Sequence, residues 1–337
     1  MSKNEVEKQL VFEKLDGALA DIISSAGHSE LWGYDLSTVE APVKECLLRK
    51  FLQANDYEFE GAKNQLSKTL KWRKTFCPLS AAFSEQHAKK FDVLGVVTDS
   101  SDDKKVVTWN LYGAVKNREE VFGDLDAFIR WRVGLMEQGL SKLDFSKPES
   151  AYMDQVHDYE GVSFLKLDGS TRAATQKAIA IFQDYYPEVL YKKYFLNVPW
   201  IMSWMFTLVK PLVSKETLAK FEVMSDGNKL SSKMGDWVPK IYGGKAESLD
   251  AIKVTSFKPV NESLLQKEQS TPEKRQAQTE AKDTDTPEDK SEDKSEDKSE
   301  DKPEDKPEDK PEDKPEDKPE DKPEDKPEDK SAEPVKA

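Results

Sequence analysis

Between Asn197 and Val213 the chain reads NVPWIMSWMFTLVKPLV, and from Val198 to Val209 only Ser203 and Thr207 break the apolar run. A helix of this composition cannot face water. At about a dozen residues it is also too short to cross a bilayer, which takes roughly 20. Three placements remain: a helix buried all round, an interfacial membrane helix, or a movable wall over an apolar cavity.

A second segment is set apart by charge. From Pro287 to Lys330 the sequence is a four-residue repeat, PEDK or SEDK, eleven times over. Each unit nets one negative charge, so the repeat carries eleven of the fourteen net negative charges of the 337-residue chain. Acidity is therefore a property of the tail rather than of a binding surface, and no nucleic-acid partner is expected. A proline-rich repeat with no apolar residue cannot bury enough surface to offset its chain entropy. A disordered acidic tail is predicted over 251–337, serving as a solvating spacer or as a docking segment for a basic partner of unknown identity.

The remaining roughly 250 residues suffice for a full core and an internal cavity. Cys46 and Cys77 are the only cysteines, both beside helical patterns, and no apolar leader follows Met1. A reduced, intracellular protein is expected. With His28, His87 and His157 as the only histidines, a structural zinc site is not expected.

Val43, Leu47, Leu48, Phe51 and Leu52 recur at helical spacing, and Ala62, Leu66 and Leu70 mark a second stripe that runs to Trp72 before Pro78. Val93–Thr98 and Val106–Leu111 are β-branched, apolar runs around the turn-rich Asp99–Asp103, and predict paired strands. Asp124 is placed to cap a helix through Phe128, Trp131, Leu135 and Leu140. Strands are predicted at Tyr152–Tyr159, Val162–Leu167 and Tyr194–Val198, with a helix over Thr171–Asp184 between the last two and the apolar helix after them. The expected class is α/β: a helical N-terminal layer over 1–80, then a segment 81–250 with a β-sheet and flanking helices.

Five landmarks in order carry a resemblance: CLLRKFLQANDYEFEGAKNQLSKTLKWRK, HDYEGVSF, YYPEVLYKKYFLNVP, the apolar helix with Lys210-Pro211, and Tyr242-Gly243-Gly244. Over roughly residues 40 to 250 the chain resembles the CRAL-TRIO (Sec fourteen-like) lipid-binding family. The resemblance implies a sheet floor under a hydrophobic pocket, with the apolar run as a gating helix that opens at membranes. TWNLYG, RVGLMEQGL and QVHDY further resemble a fungal branch of the family, phosphatidylinositol transfer proteins that also bind haem.

By that resemblance a phosphatidylinositol headgroup would meet Glu188, Thr217 and Lys220. The residue types suit the task, since hydroxyl and ammonium donors match a phosphate and a carboxylate matches ring hydroxyls. A spacing of three would put Thr217 and Lys220 on one helix face, although such residues are common on any exposed helix. Gln53 and Asn55 stand where the family is usually basic. On the predicted strand His157 and Tyr159 share a face with Gln155, about 6.6 Å apart, while Asp158 points away and cannot orient His157. The resemblance makes Tyr159 the axial ligand of ferric haem b, with His157 as a possible second ligand or hydrogen-bond partner, and Tyr112, Arg132 and Lys193 lining the haem or pairing its propionates. The residues alone also allow a core His and Tyr, a solvent-facing Arg132, and a solvated Lys192–Lys193 pair.

No phosphate loop, nucleophile elbow or metal-ligand spacing is present in the sequence. The expected activity is therefore binding rather than catalysis: a cytoplasmic carrier of haem and phosphatidylinositol, peripheral to the endoplasmic reticulum or other membrane surfaces, serving phosphoinositide homeostasis or a haem-linked stress response. Lipid transfer without haem and haem-dependent peroxidase-like chemistry are the alternatives.

Overall fold

A computed structural model describes residues 3–99, 106–162, 168–199 and 215–270. All lie within the first of two units, Met1–Asp285, and the second, Thr286–Ala337, falls outside the described residues together with the acidic repeat. Positions 200–214, which hold most of the apolar run, and 163–167, which hold most of the strand expected after Val162, also fall outside them.

The N-terminal layer comprises α1 (Lys3–Gly17), α2 (Leu19–Ala26), a hairpin of β1 (Glu30–Leu31) and β2 (Tyr34–Asp35), α3 (Ala41–Gln53), α4 (Phe59–Phe76) and α5 (Pro78–Phe83). The two apolar stripes read from the sequence are α3 and α4, and Leu47, Leu48, Phe51, Leu52, Leu66 and Leu70 have no exposed surface. Proline sits in the first turn of α3 and of α5, where its missing N–H costs no hydrogen bond. An ionic cluster fastens the layer to the rest. The Arg73 guanidinium donates to both Glu30 oxygens at 2.7 and 2.8 Å and to both Glu137 oxygens at 2.6 and 3.1 Å, and the Tyr186 hydroxyl donates to Glu137 at 2.6 Å. Burial alone would raise the Glu30 carboxyl, but Arg73 and its hydrogen bonds hold it at about 2.

The sheet runs in the order β3 (Gly95–Asp99), β4 (Val106–Leu111), β5 (Met153–Asp158), β6 (Leu190–Leu196), β7 (Phe221–Val223), with β3–β4 antiparallel and the other pairs parallel. The β4–β5 connection passes through α6 (Arg118–Phe122) and α7 (Leu125–Leu140), and the β5–β6 connection through α8 (Gly169–Tyr185). Caps fix where the latter two begin, as Asp124 accepts from Ala127 N at 3.0 Å and Asp168 from Thr171 N at 2.7 Å. β6 begins four residues before the expected Tyr194, and β7 was not foreseen, being only three residues long.

Alternation along the strands divides the sheet's two faces. Val107, Trp109, Val156, Tyr194 and Leu196 pack against Leu230, Val238 and Tyr242 of the C-terminal segment. Asp158 belongs to that face, accepting from the Tyr242 hydroxyl at 2.7 Å and from Asn197 Nδ2 at 2.8 Å. The opposite face turns towards α7 and α8.

The boundary expected at residue 250 is corrected. Val254 N donates to Val97 O at 2.8 Å, and the helix Glu262–Gln269 docks on α5 through buried Leu264 and through Glu268, which accepts from Ser80 N at 2.8 Å and Ser80 Oγ at 3.0 Å. Ordered packing thus extends about twenty residues into the segment assigned to the tail, because an Asn261 cap and two leucines suffice for a docked helix.

Candidate functional site

Between the second sheet face and helices α3, α4 and α8 lies a cavity of about 1090 Å³. All eight binding residues expected from the sequence line it: Tyr112, Arg132, His157, Tyr159, Glu188, Lys193, Thr217 and Lys220. Phe122, Phe128, Met136, Phe182, Phe195 and Val198 supply much of its apolar wall.

One polar cluster is built on the sheet. β5 directs His157 inward, and Tyr159 follows it on the same face. The Tyr112 ring stands 5.5 Å from both the His157 and the Tyr159 rings, and His157 lies 5.5 Å from Phe195. Arg132 comes from α7, only 1 % exposed, with its guanidinium 4.6 Å from the Phe182 ring centroid. It does not face solvent. Lys193 Nζ rests 5.4 Å from the Phe195 centroid, whereas Lys192 turns to the outer face and pairs with Glu222 at 2.9 Å, so the two lysines are not a solvated pair.

Burial governs protonation here. Desolvation, reinforced by Tyr112, raises the Tyr159 phenol well above its ordinary value, with Arg132 opposing. Desolvation, aided by Lys193 and Arg132, drives His157 well below its ordinary value and leaves a neutral imidazole. Desolvation and the neighbouring Arg132 bring the Lys193 ammonium down to about 7. Two buried polar atoms on the cavity wall, Arg132 Nη1 and His157 Nε2, have no hydrogen-bond partner among the described residues. Such atoms cost free energy unless something in the cavity meets them. Cations, phenols and an imidazole without a carboxylate among them form a donor set suited to an anionic or metal-bearing apolar guest.

The second cluster stands where β6 begins. Lys220 Nζ meets Glu188 Oε2 at 2.9 Å, and Lys220 O accepts from Lys193 N at 2.9 Å, so the two clusters adjoin. The common helix face expected for Thr217 and Lys220 is corrected: the helix Lys215–Ala219 ends before Lys220, which turns the chain into β7. Asn55 is occupied locally, its Nδ2 donating to Phe51 O at 2.8 Å and Gln65 Oε1 at 2.6 Å.

Lys50 was missed. Its Nζ donates to Glu188 O at 2.7 Å and lies 3.8 Å from the Tyr152 ring centroid. The signal was available, since Lys50 interrupts the apolar stripe of α3 between Leu47 and Phe51, at a position that had to be buried.

A mixed sheet with one face covered by the C-terminal segment and the other flooring a large apolar cavity, closed by an N-terminal helical layer, defines a hydrophobic-ligand-binding fold. The chain belongs to the CRAL/TRIO domain family, whose pattern matches residues 93–244. It is 43 % identical over 260 residues to the phosphatidylinositol transfer protein SFH5 of Kluyveromyces lactis, spanning 75 % of this chain and 87 % of that one. The Saccharomyces cerevisiae protein of the same name is 40 % identical over 285 residues, 79 % of this chain and 97 % of that one. A crystal structure of Sfh5 superposes with a TM-score of 0.75 at 37 % identity, covering 83 % of this chain and all of that one. Among the described residues no helix is long and apolar enough to cross a membrane.

Proposed function

We propose that this protein is a non-enzymatic carrier that exchanges phosphatidylinositol between membranes and holds ferric haem b in the same cavity. The lipid half is supported by about 40 % identity to proteins named as phosphatidylinositol transfer proteins and by Glu188, Thr217 and Lys220 on the cavity wall. Inositol hydroxyls suit the Glu188 carboxylate, and the phosphate suits Lys220 and the Thr217 hydroxyl.

The single observation behind the haem half is the gathering on one cavity wall of buried His157 and Arg132 with half-buried Tyr159, Tyr112 and Lys193, Arg132 Nη1 and His157 Nε2 being left unpartnered among the described residues. That set fits haem. Tyr159 would supply the axial oxygen, His157 would support it or act as the alternative ligand, and Arg132 and Lys193 would meet the propionates. When bound, the haem supplies a ferric ion able to take a phenolate, a hard anionic ligand. The protein's own part is to hold Tyr159 among apolar neighbours, place cations where carboxylates would come, and exclude water. Reversible contact with a bilayer surface, through the tryptophan-bearing apolar run at 198–209, would load and unload the cavity, and a cytoplasmic protein visiting the endoplasmic reticulum would meet both ligands. A role in phosphoinositide homeostasis or haem-linked stress follows from that pairing of cargoes.

The test is the absorption spectrum of the purified full-length protein together with mass spectrometry of its organic extract. A Soret band supports the haem half, and extractable phosphatidylinositol supports the lipid half. A colourless protein carrying phospholipid alone removes haem from the account.

A further inference from the structure

Glu188 follows Pro187 at the entrance to β6 with φ +52°, a left-handed conformation that a non-glycine residue keeps only when its surroundings hold it. Lys50 provides such a hold from the N-terminal layer. It is 2 % exposed, and its Nζ donates to the Glu188 carbonyl at 2.7 Å. On the other side the Glu188 carboxylate meets Lys220 at 2.9 Å. The glutamate is thus gripped through its main chain by one lysine and through its side chain by another.

Resting on the reading of Glu188 as a headgroup residue, we propose that Lys50 is a positioning residue for headgroup selectivity: by clamping the Glu188 main chain, it fixes the carboxylate where inositol hydroxyls would meet it. A choline headgroup has no ring hydroxyl to donate, so the clamp favours phosphatidylinositol over phosphatidylcholine. Lys50 itself does not line the cavity.

The clamp carries a pH signature. Desolvation lowers the Lys50 ammonium to about 8, with Cys46 and Glu188 raising it and Lys220 lowering it. The groups around it are Glu45, Cys46 and Arg49 on its own helix, Asp144, Glu149 and Tyr152 ahead of β5, Glu188 ahead of β6 and Lys220 ahead of β7. Cys46 is raised above its ordinary value by burial and stays a thiol near neutrality. As pH rises through 8 the bond to the carbonyl loses its charge, and with it roughly half its strength.

The experiment measures transfer of phosphatidylinositol and of phosphatidylcholine between vesicles by the full-length protein from pH 6.5 to 9. Lys50→Met is expected to lower the ratio of the two rates about tenfold to a hundredfold, the worth of one hydrogen bond to a charged group, with phosphatidylcholine transfer unchanged. Lys50→Arg keeps the charge at every pH tested, so it should retain the ratio and abolish the wild-type decline above pH 8. A Lys50→Met protein with the wild-type ratio, or a Lys50→Arg protein with the wild-type decline, overturns the proposal. Should Lys50→Met fail to fold, the Lys50→Arg profile decides alone. Wild-type protein that moves no phosphatidylinositol removes the headgroup reading and this inference with it, a result distinct from normal selectivity in the variants.

Discussion

Lys220 and Glu188 close an ion pair on the cavity wall, Nζ to Oε2 at 2.9 Å, with each side chain 23 % exposed. Each is thus the other's partner, and under the proposed headgroup role an entering inositol phosphate would exchange that contact for its own. Because the pair is partly exposed, its loss costs little stability. Glu188→Ala and Lys220→Ala should each lower phosphatidylinositol transfer about tenfold while leaving the melting temperature nearly unchanged. Vesicle transfer and thermal melts on the same preparations check both statements.

The Arg73 cluster should behave oppositely. Arg73 has no exposed surface and neutralises two buried carboxylates, Glu30 and Glu137. Arg73→Met leaves both uncompensated, which costs about 3–5 kcal/mol. Urea unfolding measures the loss, and a change below about 1 kcal/mol would show that the cluster is dispensable.

Glu268 should tie stability to pH. Burial and the proximity of Glu30 raise its carboxyl to about 7, with Arg73 and Ser80 opposing. A carboxyl raised on folding binds more protons in the folded state, so its contribution is fully present below the unfolded value near 4.5 and is lost as pH rises through about 7. The loss amounts to about 3 kcal/mol. Glu268→Gln cannot titrate, and its stability between pH 5 and 8 should be flatter than that of the wild type.

Truncation locates the end of the fold. Removing 271–337 should leave the melting temperature and cavity ligand unchanged, since the repeat has no apolar residue to bury. Removing 251–337 also deletes the docked helix with Leu264 and Glu268, and should lower stability by about 2–3 kcal/mol. Thermal melts of the two truncations separate these outcomes.

Where one face of an element is strongly apolar, the sequence was enough. The stripes of α3 and α4, the paired runs of β3 and β4, and the Asp124 cap were legible because local chemistry and burial agree there. That His157 and Asp158 lie on opposite faces of the sheet followed from strand alternation alone. What escaped was set by distant partners. β7 has three residues and exists through its pairing with β6, and the helix at 262–269 depends on contacts with α5. The burial of Lys50 was legible in the α3 stripe, but its reach across 138 positions to Glu188 is a contact that no local pattern encodes. The gathering of eight residues on one cavity was read from family resemblance, since their spacing from Tyr112 to Lys220 has no period of its own.

Tyr159→Phe tests the central claim most directly. It keeps the ring that packs 5.5 Å from Tyr112 and 6.4 Å from Phe195, and removes only the oxygen, so stability should change by less than about 1.5 kcal/mol. His157→Ala should perturb the haem spectrum more mildly, as the loss of a supporting contact does. Arg132→Ala and Lys193→Ala should lower haem affinity without altering the ligation signature. If Tyr159 is the axial ligand, the folded Tyr159→Phe protein shows a lost or shifted ferric haem spectrum; an unaltered spectrum would contradict the assignment and pass the role to His157.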